Sequence, residues 1–63
     1  MKRTRMTRQE RIELGSHALV YCYDEGHDVM NLPAVLDMWK TYSLETCEAI
    51  LEKAKQMIKE RGE

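Results

Sequence analysis

Between Leu44 and Ile58 this chain separates its residue types cleanly. Leu44, Cys47, Ile50, Leu51, Ala54, Met57 and Ile58 fall on one side of a helix. Glu45, Glu48, Glu52, Lys53, Lys55, Gln56, Lys59 and Glu60 fall on the other. At about 100° per residue the apolar set fills an arc of about 140°. An arc that wide forms one wall of a helical core, and the segment predicts a helix over 44–61.

Two further helices are expected before it. Thr7-Arg8-Gln9-Glu10 has the spacing of a capping box, in which a hydroxyl and a carboxylate satisfy early amides reciprocally. That places a first helix over 7–24, with Ile12, Leu14, Gly15, Ala18, Leu19, Cys22 and Tyr23 as its apolar face. Glu10, Glu13, His17 and Asp24 form a stripe opposite. The run Leu19-Val20-Tyr21-Cys22-Tyr23 has high strand propensity but no strict alternation, so a helix is the better reading. Gly15 weakens a helix by about 0.5–1 kcal/mol relative to Ala, yet on an apolar face it lets another helix come close. Gly26 suits a stop after Asp24-Glu25. Asn31 suits an N-cap and Pro33 a first turn, giving a second helix over 32–42. Its shared face is Leu32, Val35, Leu36, Met38, Trp39 and Tyr42, with Trp39 the aromatic anchor of a small core. Ser43 would end this helix and cap the next, leaving a link of about two residues and a helix-turn-helix-like outline. The expected architecture is all-α: a flexible basic arm over 1–6 and a three-helix domain over 7–63.

A chain of 63 residues makes one small domain. It buries only about 60% of the surface its unfolded form exposes, so self-association into a homodimer is expected to enlarge the core. No apolar run approaches the roughly 18–20 residues needed to cross a bilayer, and no secretory leader is recognisable after MKRTRMTRQER. The expected location is cytoplasmic, with no membrane partner and with Cys22 and Cys47 reduced.

The residue types for chemistry are sparse. His17, Cys22, His27 and Cys47 are the available soft metal ligands. His17 and Cys22 point about 140° apart on a helix, and no C-x-x-C or H-x-x-x-H pair exists. Gly15, Gly26 and Gly62 are too scattered to form a phosphate loop. No catalytic residue, metal or cofactor is expected, and the chain reads as a non-enzyme.

Charge is more informative. The net charge of −1 conceals an uneven layout. Residues 1–11 carry Lys2, Arg3, Arg5, Arg8 and Arg11 against Glu10, whereas residues 12–50 carry seven carboxylates against Lys40. Two binding functions follow. Glu10, Glu13, His17, Asp24, Glu25 and Asp28 are candidates for docking a basic protein surface, alongside apolar residues left uncovered such as Val20, Tyr21 or Val29. Phage and mobile-element inhibitors of nucleic-acid enzymes use charge mimicry of this kind, a class-level analogy. Lys2, Arg3, Arg5, Arg8 and Arg11 are candidates for gripping nucleic-acid phosphates. The start of the third helix cannot read bases, because its outward residues are Glu45, Thr46, Glu48, Ala49 and Glu52. The favoured expectation is a small intracellular regulatory or inhibitory module that binds another protein. The alternatives are a DNA-binding regulator using its arm, and a structural subunit of a larger complex.

Overall fold

The computed structural model describes residues 6–62. It contains α1 (Arg8–Asp24), α2 (Leu32–Met38) and α3 (Leu44–Glu60), with no strand among the described residues. The domain is therefore all-α, and Leu19–Tyr23 is helical throughout. Lys2, Arg3 and Arg5 of the expected arm lie outside the described residues.

Each helix starts where a side chain can satisfy its early amides. Thr7 Oγ1 accepts from the Glu10 amide at 3.1 Å, and Glu10 Oε1 accepts from the Thr7 amide at 2.8 Å, completing the capping box. Asn31 Oδ1 accepts from the Ala34 amide at 2.9 Å, with Pro33 in the first turn. Ser43 Oγ accepts from the Thr46 amide and donates to Thr46 Oγ1. At the end of α1, Gly26 takes φ +96°. The Gly26 amide donates to Tyr23 O and the His27 amide to Cys22 O, a complete Schellman stop.

Contacts between α1 and α3 run in the same direction along both. Arg11 lies over the Tyr42 ring just before α3 begins, Ser16 Oγ approaches the Ile50 carbonyl at 3.4 Å, and Asp24 pairs with Arg61 at the far end. The two long helices are thus parallel neighbours. Residues 25–43 return the chain to its starting end, and α2 packs chiefly on α3. The core is Leu19 and Val20 from α1, Val35 from α2, and Cys47, Ile50, Leu51 and Ala54 from α3. Full burial of a Leu, Ile or Val side chain contributes about 1.5–3 kcal/mol.

The helices cross at the small pair Gly15-Ser16. A Cβ added to Gly15 would lie 2.6 Å from Ile50 Cδ1 and 3.0 Å from Ile50 Cγ1, so the glycine is what allows the approach. Ser16 is fully buried and donates to the Ile12 carbonyl at 2.6 Å, which removes the cost of its hydroxyl.

Several expectations are corrected. The second helix ends at Met38 rather than Tyr42, because Trp39 leaves helical geometry at φ −123°, ψ 68°. The break lets Tyr42 stack on Trp39, with ring centroids 6.3 Å apart and planes within 9°, while both rings pack on the core. The link to α3 is consequently 39–43, longer than expected. On α1 the apolar seam is turned by about 70° from the expected one. Gly15, Ser16, Leu19 and Val20 are buried, whereas Leu14, Ala18 and Tyr23 are exposed. Val20 is therefore core, not an uncovered surface residue, and Val29 is half-buried. On α3 Thr46 is 3% exposed rather than outward, Ala49 is half-buried, and Leu44 lies open. Met38, expected on the inner face of the second helix, is exposed.

Candidate protein-binding surface

With α3 seated on Gly15 and Ser16, the opposite side of α1 faces away from the rest of the domain. Leu14 is 59% exposed there and Tyr21 66% exposed, with Ala18 between them. Their spacing of four and three residues aligns them along one stripe about 10 Å long. Met6 extends the stripe beyond the start of the helix. Met6, Gln9, Glu10, Glu13 and Leu14 line an open depression of about 320 Å³.

Carboxylates border the stripe, and the structure distributes them unequally. Glu10 is engaged in the capping box. Glu13 faces three neighbours: Lys53 Nζ at 3.4 Å, His17 Nε2 at 4.0 Å, and the Gln9 amide, which donates at 3.4 Å. Asp24 holds Arg61 through two hydrogen bonds of 3.0 Å, and that guanidinium keeps its carboxyl below the usual carboxylate range. Glu25 and Asp28 are exposed and their carboxylates have no ion-pair partner among the described residues. The six residues do not converge on one point. They lie along and beyond the full length of α1, so they act as a border and not as a pocket.

The basic candidates divide as well. Arg8 is exposed at the first turn of α1. Arg11 is half-buried; its Nη1 donates to the Met6 carbonyl at 3.1 Å and its guanidinium lies 5.8 Å from the Tyr42 ring centroid. Its charge is thus used partly inside the domain, where it ties the start of α1 to the 39–43 link. Glu45, Glu48 and Glu52 are exposed on α3.

Among the described residues no group of three or more His, Cys, Asp or Glu side chains converges as a metal site would. Cys22 and Cys47 are both free thiols. Cys47 is fully buried, its Sγ lies 3.8 Å from the Trp39 carbonyl, and burial pushes its thiol pKa up. A neutral buried thiol packs as a small apolar group and is a poor nucleophile. Two other surface depressions are open. One, of about 470 Å³, lies over the Gly26 turn between Tyr23 and Met30, and one, of about 310 Å³, lies between the starts of α1 and α3.

Residue periodicity missed Leu14 and Ala18 as surface residues. The signal for them is present in the spacing of 14, 18 and 21, a second apolar stripe beside the one that includes Leu19. No helix of the described residues is long and apolar enough to cross a membrane. Against known protein families, curated proteins and solved structures, the chain shows no significant match.

Proposed function

We propose that this domain is a small non-enzymatic regulatory or inhibitory module that acts by binding another protein through the outer side of α1. The observation that carries this reading is the stripe of Leu14, Ala18 and Tyr21, exposed on a helix whose other side is committed to the core. An exposed Leu and Tyr on one stripe supply the apolar contact a docking surface needs, and Tyr adds a polar end. The unpaired carboxylates of Glu25 and Asp28 at one end favour a partner carrying Lys or Arg near its own apolar contact.

The test is affinity capture from the native host with the wild-type chain, Leu14→Asp, and the pair Glu25→Lys with Asp28→Lys. Specific partners retained by wild type and lost from Leu14→Asp support the reading. Identical retention by all three chains overturns it.

Phosphate binding by the basic N-terminal residues is the second reading, favoured by the exposed Arg8 beside Lys2, Arg3 and Arg5 in sequence. Titration of a DNA duplex separates the two. Binding that falls steeply as salt rises, and that is lost when Lys2, Arg3 and Arg5 become Ala, supports it; absence of binding at low salt removes it. A structural-subunit role predicts instead that the isolated chain aggregates through its apolar stripe.

A further inference from the structure

The outer face of α1 has a regular order. Thr7, Arg11, Leu14, Ala18, Tyr21 and Glu25 follow one another at intervals of four, three, four, three and four, the spacing of a two-helix seam. The order is complementary in size about its midpoint: large Leu14 and small Ala18 lie on either side of it, with Arg11 and Tyr21 beyond them. The exposed charges at its two ends differ: Arg8 lies at the start of the helix, where Arg11 is turned onto Tyr42 and Glu10 closes the capping box, and Glu25 and Asp28 lie just after its end.

Resting on the reading of this face as a protein-binding surface, we infer that its apolar seam is occupied by a second copy of the chain, α1 against α1 and antiparallel. In that register Leu14 packs against Ala18 of the second copy, twice by symmetry, filling large against small. Tyr21 lies opposite the stem of Arg11. Glu25 meets the start of the other α1, where Arg8 and the positive end of the helix dipole favour a carboxylate. A parallel arrangement would place Glu25 against Glu25 and Arg8 against Arg8, which charge disfavours. The like-charged flank of Glu10 and Asp24 is relieved because Arg61 already holds Asp24. α3 does not obstruct the pairing, since it packs on Gly15 and Ser16 on the other side of α1. The seam is short, well below the roughly 800 Å² per partner of a standard stable interface, so the dissociation constant is expected on the order of 10–100 µM.

The experiment is sedimentation equilibrium of the full chain from about 10 µM to 1 mM, at low and moderate salt. The expected mass rises from 7.4 kDa toward twice that value. Leu14→Asp, at a position open to solvent, is expected to keep its helical circular dichroism and to weaken association by tenfold or more. Glu25→Lys and Arg8→Glu are each expected to weaken it about two- to fivefold at low salt, and an equimolar mixture of the two to recover it, because each end of the mixed pair is again opposite in charge. A monomer at all concentrations, association unmoved by Leu14→Asp, or single charge reversals without effect would each overturn the antiparallel pairing. The result also separates it from the broader reading. A monomer whose capture of other proteins still depends on Leu14 removes self-pairing and leaves protein binding standing. Indifference of both mass and capture to Leu14 removes both.

Discussion

α1 and α3 are the same length, 17 residues each, and pack side by side, yet they relate to their sequences differently. On α3 the apolar residues gather on one side and the charges on the other, so the buried face follows from spacing. On α1 apolar residues spread over most of the circumference outside the stripe of Glu10, Glu13, His17 and Asp24: Leu19 and Val20 point in, Leu14 and Tyr21 point out. Periodicity therefore says that α1 is a helix without saying which side of it is inside. That choice is made by fit. The place where α3 can come closest is the small pair Gly15-Ser16, and the rest of the seam follows from it.

The strongest way to break this contrast is to truncate one apolar residue inside the α1–α3 contact and one on the outer side of α1. Ile50→Ala empties a fully buried site and is expected to cost about 2–5 kcal/mol, whereas Leu14→Ala should stay within about 0.5 kcal/mol in a dilute, monomeric sample. Chemical denaturation followed by circular dichroism checks both. Natural domains have only about 0.05–0.15 kcal/mol of stability per residue, about 3–9 kcal/mol for a chain this short, so the Ile50 variant would lose a large share of it. Equal costs at the two sites would mean that Leu14 is not an outer residue.

Gly15→Ala sharpens the role of the crossing point. Ala favours the helix by up to about 1 kcal/mol, but its Cβ meets Ile50 at 2.6 Å and overpacking of this kind costs about 1–3 kcal/mol. Net destabilisation of about 1 kcal/mol is expected, and Ile50→Val, which removes Cδ1, should reduce it in the double variant. A stabilised Gly15→Ala protein would show that close approach is not what selects the buried side. Ser43→Ala should cost about 1 kcal/mol through loss of the α3 cap, read as a lower denaturation midpoint.

The smallest effect belongs to the far end of the parallel pair. The pKa of Asp24 is lowered in the folded state by its hydrogen bonds to Arg61. Its contribution to stability is therefore present above the unfolded value, near 3.8, and is lost as pH falls through the lower folded value. Asp24→Asn should flatten the stability-against-pH curve below about pH 4 relative to wild type and leave its slope near neutrality unchanged. Exposure of the pair keeps the difference small.

Much of the fold was legible in advance because its signals are local. Thr7 with Glu10, Asn31 with Pro33, Gly26 and Ser43 each satisfy backbone groups within a few residues, so their roles do not depend on what lies elsewhere. The end of α2 was not legible in this way. Trp39 through Tyr42 continues the helical spacing, yet Trp39 leaves helical geometry and its ring stacks on Tyr42 over the core, a contact that spacing does not encode. The candidate surface was legible in part: Tyr21, Glu25 and Asp28 were expected to be exposed, whereas Leu14 and Ala18 were assigned to the core and Val20 to the surface.

The amino-acid sequence by itself determined three helices, their starts and the buried side of α3, because capping and amphipathic spacing act within a few residues. Tertiary structure alone decided that α1 and α3 run parallel, that α1 turns Ser16 and Val20 inward, and that Leu14 and Ala18 remain outside. The physical reason is that α1 carries apolar residues on more than one side beside its polar stripe, so spacing leaves its rotation open, and close packing of Gly15 on Ile50 then selects the buried side.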